Sequence, residues 1–142
     1  MIVYLDTSGL LKLFVDELHT EETRNWARAA DAIALSRVTL PEASSAISHR
    51  HRTGGLTLPS AQRLIREIAA FRRASTVVEL DEVHAADVAF EHGLRGFDAV
   101  QLAGALTARE RAGRETVAFA SFNLALNEAA RAEGLTVLEP LD

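Results

Sequence analysis

The sequence lacks several features that would point to particular classes of protein. It has no cysteine, which excludes disulfides, a thiol nucleophile and any zinc or iron–sulfur site with cysteine ligands. No apolar run approaches the roughly 18 residues of a membrane span, and no basic residue precedes the apolar start at residues 1–5. We therefore expect a cytoplasmic protein with neither a membrane segment nor a signal peptide. The net charge of −5 excludes a nucleic-acid binder with a uniformly basic surface.

The chain does contain enough apolar residues for a compact core. Apolar residues make up 48% of its 142 residues and charged residues 25%. A chain of this length suits one domain with a sizeable core. The apolar content argues against intrinsic disorder, which requires low hydrophobicity and high net charge. We predict that residues 1–142 form a single domain.

Short β-type runs alternate with longer segments of helical periodicity along the chain. The predicted strands occupy residues 2–5, 32–35, 76–80, 116–120 and 135–138. Between them, apolar residues recur with the period of an amphipathic helix. Strands that are separated by helices require crossover connections, so the prediction is an α/β fold, a three-layer α/β/α sandwich with a central, mainly parallel sheet. Ligands of such folds bind beyond the carboxyl ends of the strands.

Three acidic residues are predicted to lie at that edge of the sheet. Asp6 directly follows the first strand, Glu42 lies in the first turn of a helix, and Asp98 begins an alanine-rich helix. Each alone could be a helix cap or a first-turn acid, and Ser8 and Thr39 are candidate caps of the first two helices. Three converging carboxylates repel one another, and a hard divalent cation relieves that repulsion. The pattern predicts a Mg²⁺ or Mn²⁺ site.

The same three positions carry a resemblance to a known family. The segment VYLDTSGL at residues 3–10 is similar to the opening of PIN-domain nucleases, above all the VapC-type toxins of bacterial toxin–antitoxin pairs. LPEASSA at residues 40–46 resembles the second acidic motif of that family, and GFDAVQLAGA at residues 96–105 resembles the third. The resemblance extends from residue 1 to about residue 138, and the ordered set of motifs is more specific than any one of them.

The resemblance implies a PIN domain with the activity of a metal-dependent endoribonuclease. Asp6, Glu42 and Asp98 would bind Mg²⁺ or Mn²⁺, and a water polarised by the metal would attack an RNA phosphodiester. The family also implies a VapB-type antitoxin as partner, a homodimer and a toxin–antitoxin hetero-oligomer. An antitoxin arginine that enters between the three carboxylates would supply the missing positive charge.

One position departs from the pattern of the family. The fourth motif usually reads Thr or Ser, any residue, then Asp, whereas this chain has Ser121-Phe122-Asn123. Asn123 offers a carbonyl oxygen without charge, so we predict that it serves the catalytic site by ligating the metal directly or through water. Weaker divalent binding, or a single bound metal, follows from the missing charge. A plain helix cap is the other interpretation of Asn123. Ser8 and Ser121 are expected to support the site.

A basic segment lies between residues 49 and 73, with six arginines against one glutamate and therefore a net charge of +5. The planar fork of arginine suits the recognition of phosphate. Arg50 and Arg52 are accordingly predicted to bind RNA. A solvated helix face, or contact with an acidic partner, is the other interpretation of this segment.

Two other enzyme classes fit poorly, and one non-enzymatic alternative remains. The segment DTSG resembles the Asp-Thr-Gly of aspartic proteases, but those are all-β proteins. A phosphoacceptor receiver domain needs a lysine after a late strand, and the single lysine is Lys12. The remaining alternative is a catalytically weakened PIN-like module that binds RNA or protein, as Asn123 suggests. Divalent-dependent RNA cleavage that is lost in Asp6→Ala separates the module from the nuclease.

Overall fold

The computed structural model describes residues 1–141, and within them strands and helices alternate along the chain. The strands are β1 (Ile2–Leu5), β2 (Ala32–Ser36), β3 (Thr76–Val78), β4 (Val117–Ala120) and β5 (Thr136–Leu138). The helices are α1 (Thr7–Phe14), α2 (Thr20–Ala29), α3 (Thr39–Arg52), α4 (Leu58–Arg73), α5 (Glu82–His92), α6 (Gly96–Ala112) and α7 (Leu124–Ala132). In this part of the chain no helix is long and apolar enough to cross a bilayer.

The five strands form one sheet in the order β3-β2-β1-β4-β5, and every neighbouring pair is parallel. The prediction of a parallel sheet is confirmed. Because β1 is central and pairs with β4, residues Asp6 and Ser121 leave the sheet side by side at its carboxyl edge.

Helices cover both faces of the sheet, so the predicted three layers are confirmed. Successive side chains of a strand point to opposite faces, and along β1 they belong to two separate hydrophobic clusters. Tyr4 packs in the cluster that includes residues of α5, α6 and α7, such as Val88, Leu102 and Leu126. Val3 and Leu5 pack in the cluster that includes residues of α1, α3 and α4, such as Leu10, Ile47 and Ile68.

The boundaries differ from the prediction by one or two residues at most strands. β1 has the predicted bounds, β2 is one residue longer, and β4 and β5 each begin one residue later. β3 ends at Val78 rather than residue 80, and Glu79 then turns outward to pair with Arg37, with 2.6 Å between its Oε1 and the guanidinium. Helix α2 was not predicted, because its sequence TEETRNWARA is largely polar, with Trp26 as its one large apolar residue.

Candidate active site

A cavity of about 270 Å³ lies beyond the carboxyl ends of β1 and β4, and we call it the acidic cavity. Its lining residues are Asp6, Thr7, Ser8, Leu11, Glu42, Asp98, Gln101 and Asn123. The fold therefore brings all four predicted catalytic residues to one place. Within the described chain the lining contains three acids and no arginine, lysine or histidine. The negative charge of the acidic cavity is not compensated by its own walls.

Asp6 is the most deeply buried of the three acids, with 5% of its surface exposed. Its Oδ1 accepts the backbone N–H of Gly9 at 2.9 Å, so that Asp6, and not Ser8, caps helix α1. The Ser8 hydroxyl instead donates to Asp6 Oδ1 at 2.7 Å, and the Ser121 hydroxyl donates to Oδ2 at 2.6 Å. Burial raises the pKa of Asp6, while the hydrogen bonds from Ser121, Gly9 and Ser8 act to lower it. Both predicted supporting serines thus contact Asp6.

The close approach of α1 to β4 requires glycine at position 9. A Cβ added to Gly9 would lie 2.6 Å from the carbonyl oxygen of Ala120, the last residue of β4. Real Cβ atoms do not come so near to a backbone oxygen, and a backbone atom cannot rotate away. Gly9 therefore allows the capped end of α1, with Asp6, to sit directly on the end of β4.

Glu42 is positioned in the first turn of α3. The helix begins at Thr39 and its cap is Val38, so Thr39 is not the cap that the sequence predicted. The proline at position 41 is tolerated because residues of the first turn have no intrahelical acceptor for an N–H. The Oε1 atom of Glu42 accepts the Thr7 hydroxyl at 2.8 Å and the Gln101 side-chain amide at 2.9 Å. Two donors from two different helices thus fix this carboxylate.

Gln101 is a residue of the acidic cavity that sequence reasoning missed. It is 2% exposed, and its Oε1 accepts the hydroxyl of Tyr4 at 2.9 Å. Burial raises the pKa of Tyr4 far above its usual value, so the phenol remains a proton donor. Because Oε1 faces Tyr4, the amide Nε2 points the other way. It donates to Glu42 and also to the hydroxyl of Thr39, the latter at 3.1 Å. The available signal was a glutamine within the otherwise apolar stretch 99–106 of α6, three residues after Asp98 and on the same face.

Asp98 and Asn123 form the more open side of the acidic cavity. Helix α6 begins at Gly96, two residues before the predicted start at Asp98, so that Asp98 lies in its first turn. Asn123 caps α7, because its Oδ1 accepts the N–H of Leu126 at 3.1 Å. This cap orients the amide, and Nδ2 then donates to Asp98 Oδ2 at 3.3 Å. Asn123 is therefore a helix cap, which was the alternative interpretation of this residue. Its role as a metal ligand stays a prediction.

Comparison with known proteins identifies relatives of this chain. No model of a known protein family matches it. Two ribonucleases from Mycobacterium tuberculosis, VapC45 and VapC49, are each 35% identical to it over 108 residues, which is 74% of this chain and 75% of the relative. The chain belongs to the VapC ribonuclease family.

Solved structures with lower identity share the fold of this VapC family member. The protein PAE2754 from Pyrobaculum aerophilum is 20% identical, with a TM-score of 0.68 over 96% of this chain and 83% of that one. A toxin–antitoxin complex from Klebsiella pneumoniae is 19% identical, with a TM-score of 0.66 over 99% of this chain and 98% of that one. VapC20 of M. tuberculosis, described as a toxin that cleaves the sarcin–ricin loop, is 17% identical, with a TM-score of 0.63 over 97% and 99% of the two chains.

Two wider cavities open beside the acidic cavity of this VapC family member. The first, of about 710 Å³, is called the outer cavity and is lined by Glu42, Arg95, Gly96, Phe97, Asp98, Val100 and Asn123. The second, of about 620 Å³, is called the α3 cavity and is lined by Val38, Pro41, Glu42, Ser45, Ala46, His49 and Phe97. Phe97 and Glu42 belong to both. Sequence reasoning singled out neither Arg95 nor Phe97.

The two arginines that were predicted to bind RNA lie outside these three cavities. A guanidinium nitrogen of Arg50 pairs with Glu17 Oε2 at 3.0 Å, and Arg52 Nε donates to the Ser48 hydroxyl at 3.2 Å. The arginine that lines a cavity together with Asp98 is Arg95. The predicted role of Arg50 and Arg52 in RNA binding stays a prediction.

A second group of potential metal ligands lies elsewhere. Among residues 1–141, Glu91, His92 and Glu133 are the one group of three whose ligand atoms all lie within 4.8 Å of one another. His92 Nε2 is already 2.7 Å from Glu133 Oε1, so an ion pair or hydrogen bond accounts for the arrangement. No member of this group lines the acidic cavity, and the three acids that do are spaced more widely.

Proposed function

We propose that this protein is a Mg²⁺- or Mn²⁺-dependent endoribonuclease that acts as the toxin of a toxin–antitoxin pair, with residues 1–142 forming one PIN domain. One observation carries the proposal. Three acids and, among residues 1–141, no basic side chain line the acidic cavity, at the edge of a parallel sheet where ligands bind. The ribonuclease names of its relatives in the VapC family support the same activity.

The donor set of the acidic cavity fits a hard divalent cation. Its acidic side chains are all carboxylates, with hydroxyl and amide oxygens between them, and Mg²⁺ and Mn²⁺ prefer oxygen. The wide spacing of the carboxylates suits Mg²⁺ in particular, because that ion keeps several waters and takes few protein ligands. A cation bound by Asp6, Glu42 and Asp98 supplies Lewis-acid activation of water and charge stabilisation at the phosphate.

The side chains of the acidic cavity hold these carboxylates in place before any substrate arrives. Ser8, Ser121 and the N–H of Gly9 fix both oxygens of Asp6. Thr7 and Gln101 fix one oxygen of Glu42 and leave its second oxygen without a protein donor among the described residues. Groups that are already oriented need no reorganisation in the transition state, which is where electrostatic catalysis gains most.

Cleavage of RNA by the purified protein tests this function. With a mixed-sequence RNA, we expect internal cleavage with Mg²⁺ or Mn²⁺, no cleavage with EDTA, and none from Asp6→Ala. Asp87→Ala, at an exposed position of α5, serves as the matched control and retains activity. Because Asp6 also caps α1, Asp98→Asn provides a second inactive variant that leaves that cap intact. Wild-type protein that cleaves no RNA with either metal contradicts the proposal.

A second candidate function rests on the contact between Asn123 and Asp98. The Nδ2 atom of Asn123 donates to Asp98 Oδ2, so the amide already gives this carboxylate part of the electrostatic stabilisation that a cation would give it. A catalytically weakened PIN-like module that binds RNA or protein follows from this contact. RNA that is bound but not cleaved in the experiment above, with the antitoxin absent, supports the module.

The antitoxin is the second partner that we propose. The uncompensated charge of the acidic cavity suits a guanidinium from a VapB-type antitoxin, which would form charge-assisted hydrogen bonds with the carboxylates. A homodimer and a toxin–antitoxin hetero-oligomer are part of the same proposal. Light scattering of the free chain and of the co-expressed pair measures both assemblies, and a monomeric free chain contradicts the homodimer.

A further inference from the structure

Phe97 lines two cavities that share residues with the acidic cavity. It lies at the second position of α6, directly before Asp98, and 63% of its surface is exposed. It lines both the outer cavity and the α3 cavity, and each of these also reaches Glu42. Exposure alone does not distinguish Phe97, because Phe90 is 94% exposed. Its position does, since Phe90 lines none of the three cavities.

Arg95 lies two residues before Phe97 and lines the outer cavity with it. Within residues 1–141, the arginines that pair with carboxylates are Arg24, Arg37, Arg50, Arg63 and Arg131. Arg95 is not among them, and its side chain makes no capping hydrogen bond to α6. An exposed guanidinium without an internal partner, on the wall that also carries Asp98, is available to a phosphate.

We propose that Phe97 stacks on a nucleobase and that Arg95 binds a phosphate of the same single-stranded RNA, next to the bond presented to the acidic cavity. This inference rests on the proposed function and assigns two substrate-positioning residues to it. Aromatic faces bind the unstacked bases of single strands, whereas a base inside a duplex is covered by its neighbours. The pair of residues would therefore favour single-stranded RNA and help to decide which phosphodiester is cleaved.

Binding measured in EDTA tests the inference separately from catalysis. We expect Phe97→Ala to weaken the binding of a fluorescent single-stranded RNA about tenfold, by loss of one stacked base. Phe97→Tyr restores the affinity, and Phe90→Ala, on α5, does not change it. Phe97→Trp shows quenched tryptophan fluorescence when the RNA binds.

The salt dependence of binding tests Arg95. Arg95→Ala should lower the slope of affinity against salt concentration by about one phosphate contact. Arg50→Ala should lower this slope less, because Arg50 is paired with Glu17.

Cleavage with Mg²⁺ gives the second measurement. Phe97→Ala should raise KM about tenfold, with a smaller change in kcat, and should shift the cleaved positions in a mixed-sequence RNA. If the wild type cleaves RNA and Phe97→Ala has the same KM and the same cleaved positions, the inference is wrong while the proposed function holds. If Phe97→Ala loses only the binding of the antitoxin, the residue belongs to a protein interface and the inference is also wrong. If the wild type neither binds nor cleaves RNA, both proposals fail.

Discussion

The acidic cavity has a floor and a rim that differ in how firmly their residues are held. The floor consists of the two acids that buried donors fix, Asp6 and Glu42. The rim consists of residues at the start of α6 and the cap of α7, namely Arg95, Phe97, Asp98 and Asn123. Five hydrogen bonds reach the carboxylates of the floor, whereas the carboxylate of Asp98 accepts one, from the amide of Asn123.

This difference indicates which residues of the site serve catalysis and which serve the binding of substrate. Asp6 is buried with both carboxylate oxygens hydrogen-bonded, and two donors hold one oxygen of Glu42, so the floor presents its charges in a constant geometry. The exposed side chains of Arg95 and Phe97 at the rim keep rotational freedom and are able to follow a substrate of variable sequence. Changes to the floor, or to Asp98 at the rim, should therefore abolish activity, and changes to Arg95 or Phe97 should alter affinity and specificity.

The largest effect is expected at the floor, for Glu42→Gln. The glutamine keeps a carbonyl oxygen to accept from Thr7 and Gln101 but removes the charge that would bind a cation. We expect kcat/KM for RNA to fall about a thousandfold, since a metal ion is worth several kcal/mol of transition-state stabilisation. The melting temperature should stay within about 2 °C of the wild type. Glu91→Gln is the matched control, and a similar loss there contradicts the assignment.

The next largest effect concerns the backbone that carries the floor. Gly9→Ala places a Cβ against the carbonyl oxygen of Ala120 and should lower the free energy of unfolding by about 3 kcal/mol, as overpacking does. Gly96→Ala is its counterpart at the rim, where an added Cβ meets no heavy atom within 4 Å. There we expect a change of at most about 0.5 kcal/mol. Urea denaturation of the two variants measures both values, and equal destabilisation removes the distinction between floor and rim.

A smaller effect is expected for Gln101→Leu, which removes the donor to Glu42 without touching a carboxylate. Groups that orient metal ligands typically change metal affinity or activity by 10- to 100-fold, and we expect a loss of about thirtyfold in kcat/KM. Gln101→Glu is the informative companion, since it keeps the size of the side chain and replaces the donor to Glu42 by a second carboxylate. Wild-type activity in both variants means that Glu42 is not held by Gln101.

The smallest effect is expected at the rim, for Asn123→Asp. Aspartate caps a helix as well as asparagine does, so α7 is preserved. The added carboxylate should lower the Mg²⁺ concentration for half-maximal activity about tenfold, because it adds a charge to the set that would bind the cation. Asn25→Asp, at an exposed position of α2 outside the acidic cavity, is expected to leave the Mg²⁺ requirement unchanged. Equal Mg²⁺ dependence of the wild type and Asn123→Asp contradicts a role for this position.

The convergence of the three acids was predictable, because a local sequence pattern marks the position of each one. Asp6 follows an apolar run that ends a strand, and Glu42 and Asp98 lie in the first turns of helices that follow the pattern of an α/β fold. The parallel order of the strands then places all three at one edge. The positions of these strands and helices depend on secondary-structure propensity and hydrophobic periodicity, and both can be read from a single sequence.

The contacts that fix Glu42 were not predictable, because they join residues far apart in the chain. Gln101 reaches Tyr4 and Glu42 across separations of 97 and 59 residues, and no local pattern marks such pairs. The same holds for Arg50, which pairs with Glu17 over a separation of 33 residues. The sequence therefore predicts which acids meet and that Ser8 and Ser121 support their site, but not that Thr7 and Gln101 orient Glu42.

Calorimetric titration with Mn²⁺ tests the central claim most directly, namely that the acidic cavity is the cation site. The wild type should bind Mn²⁺ with an affinity that falls at least tenfold in Glu42→Gln. Glu91→Gln, which alters the separate group of Glu91, His92 and Glu133, should bind Mn²⁺ as the wild type does. Binding that survives in Glu42→Gln and is lost in Glu91→Gln contradicts the account.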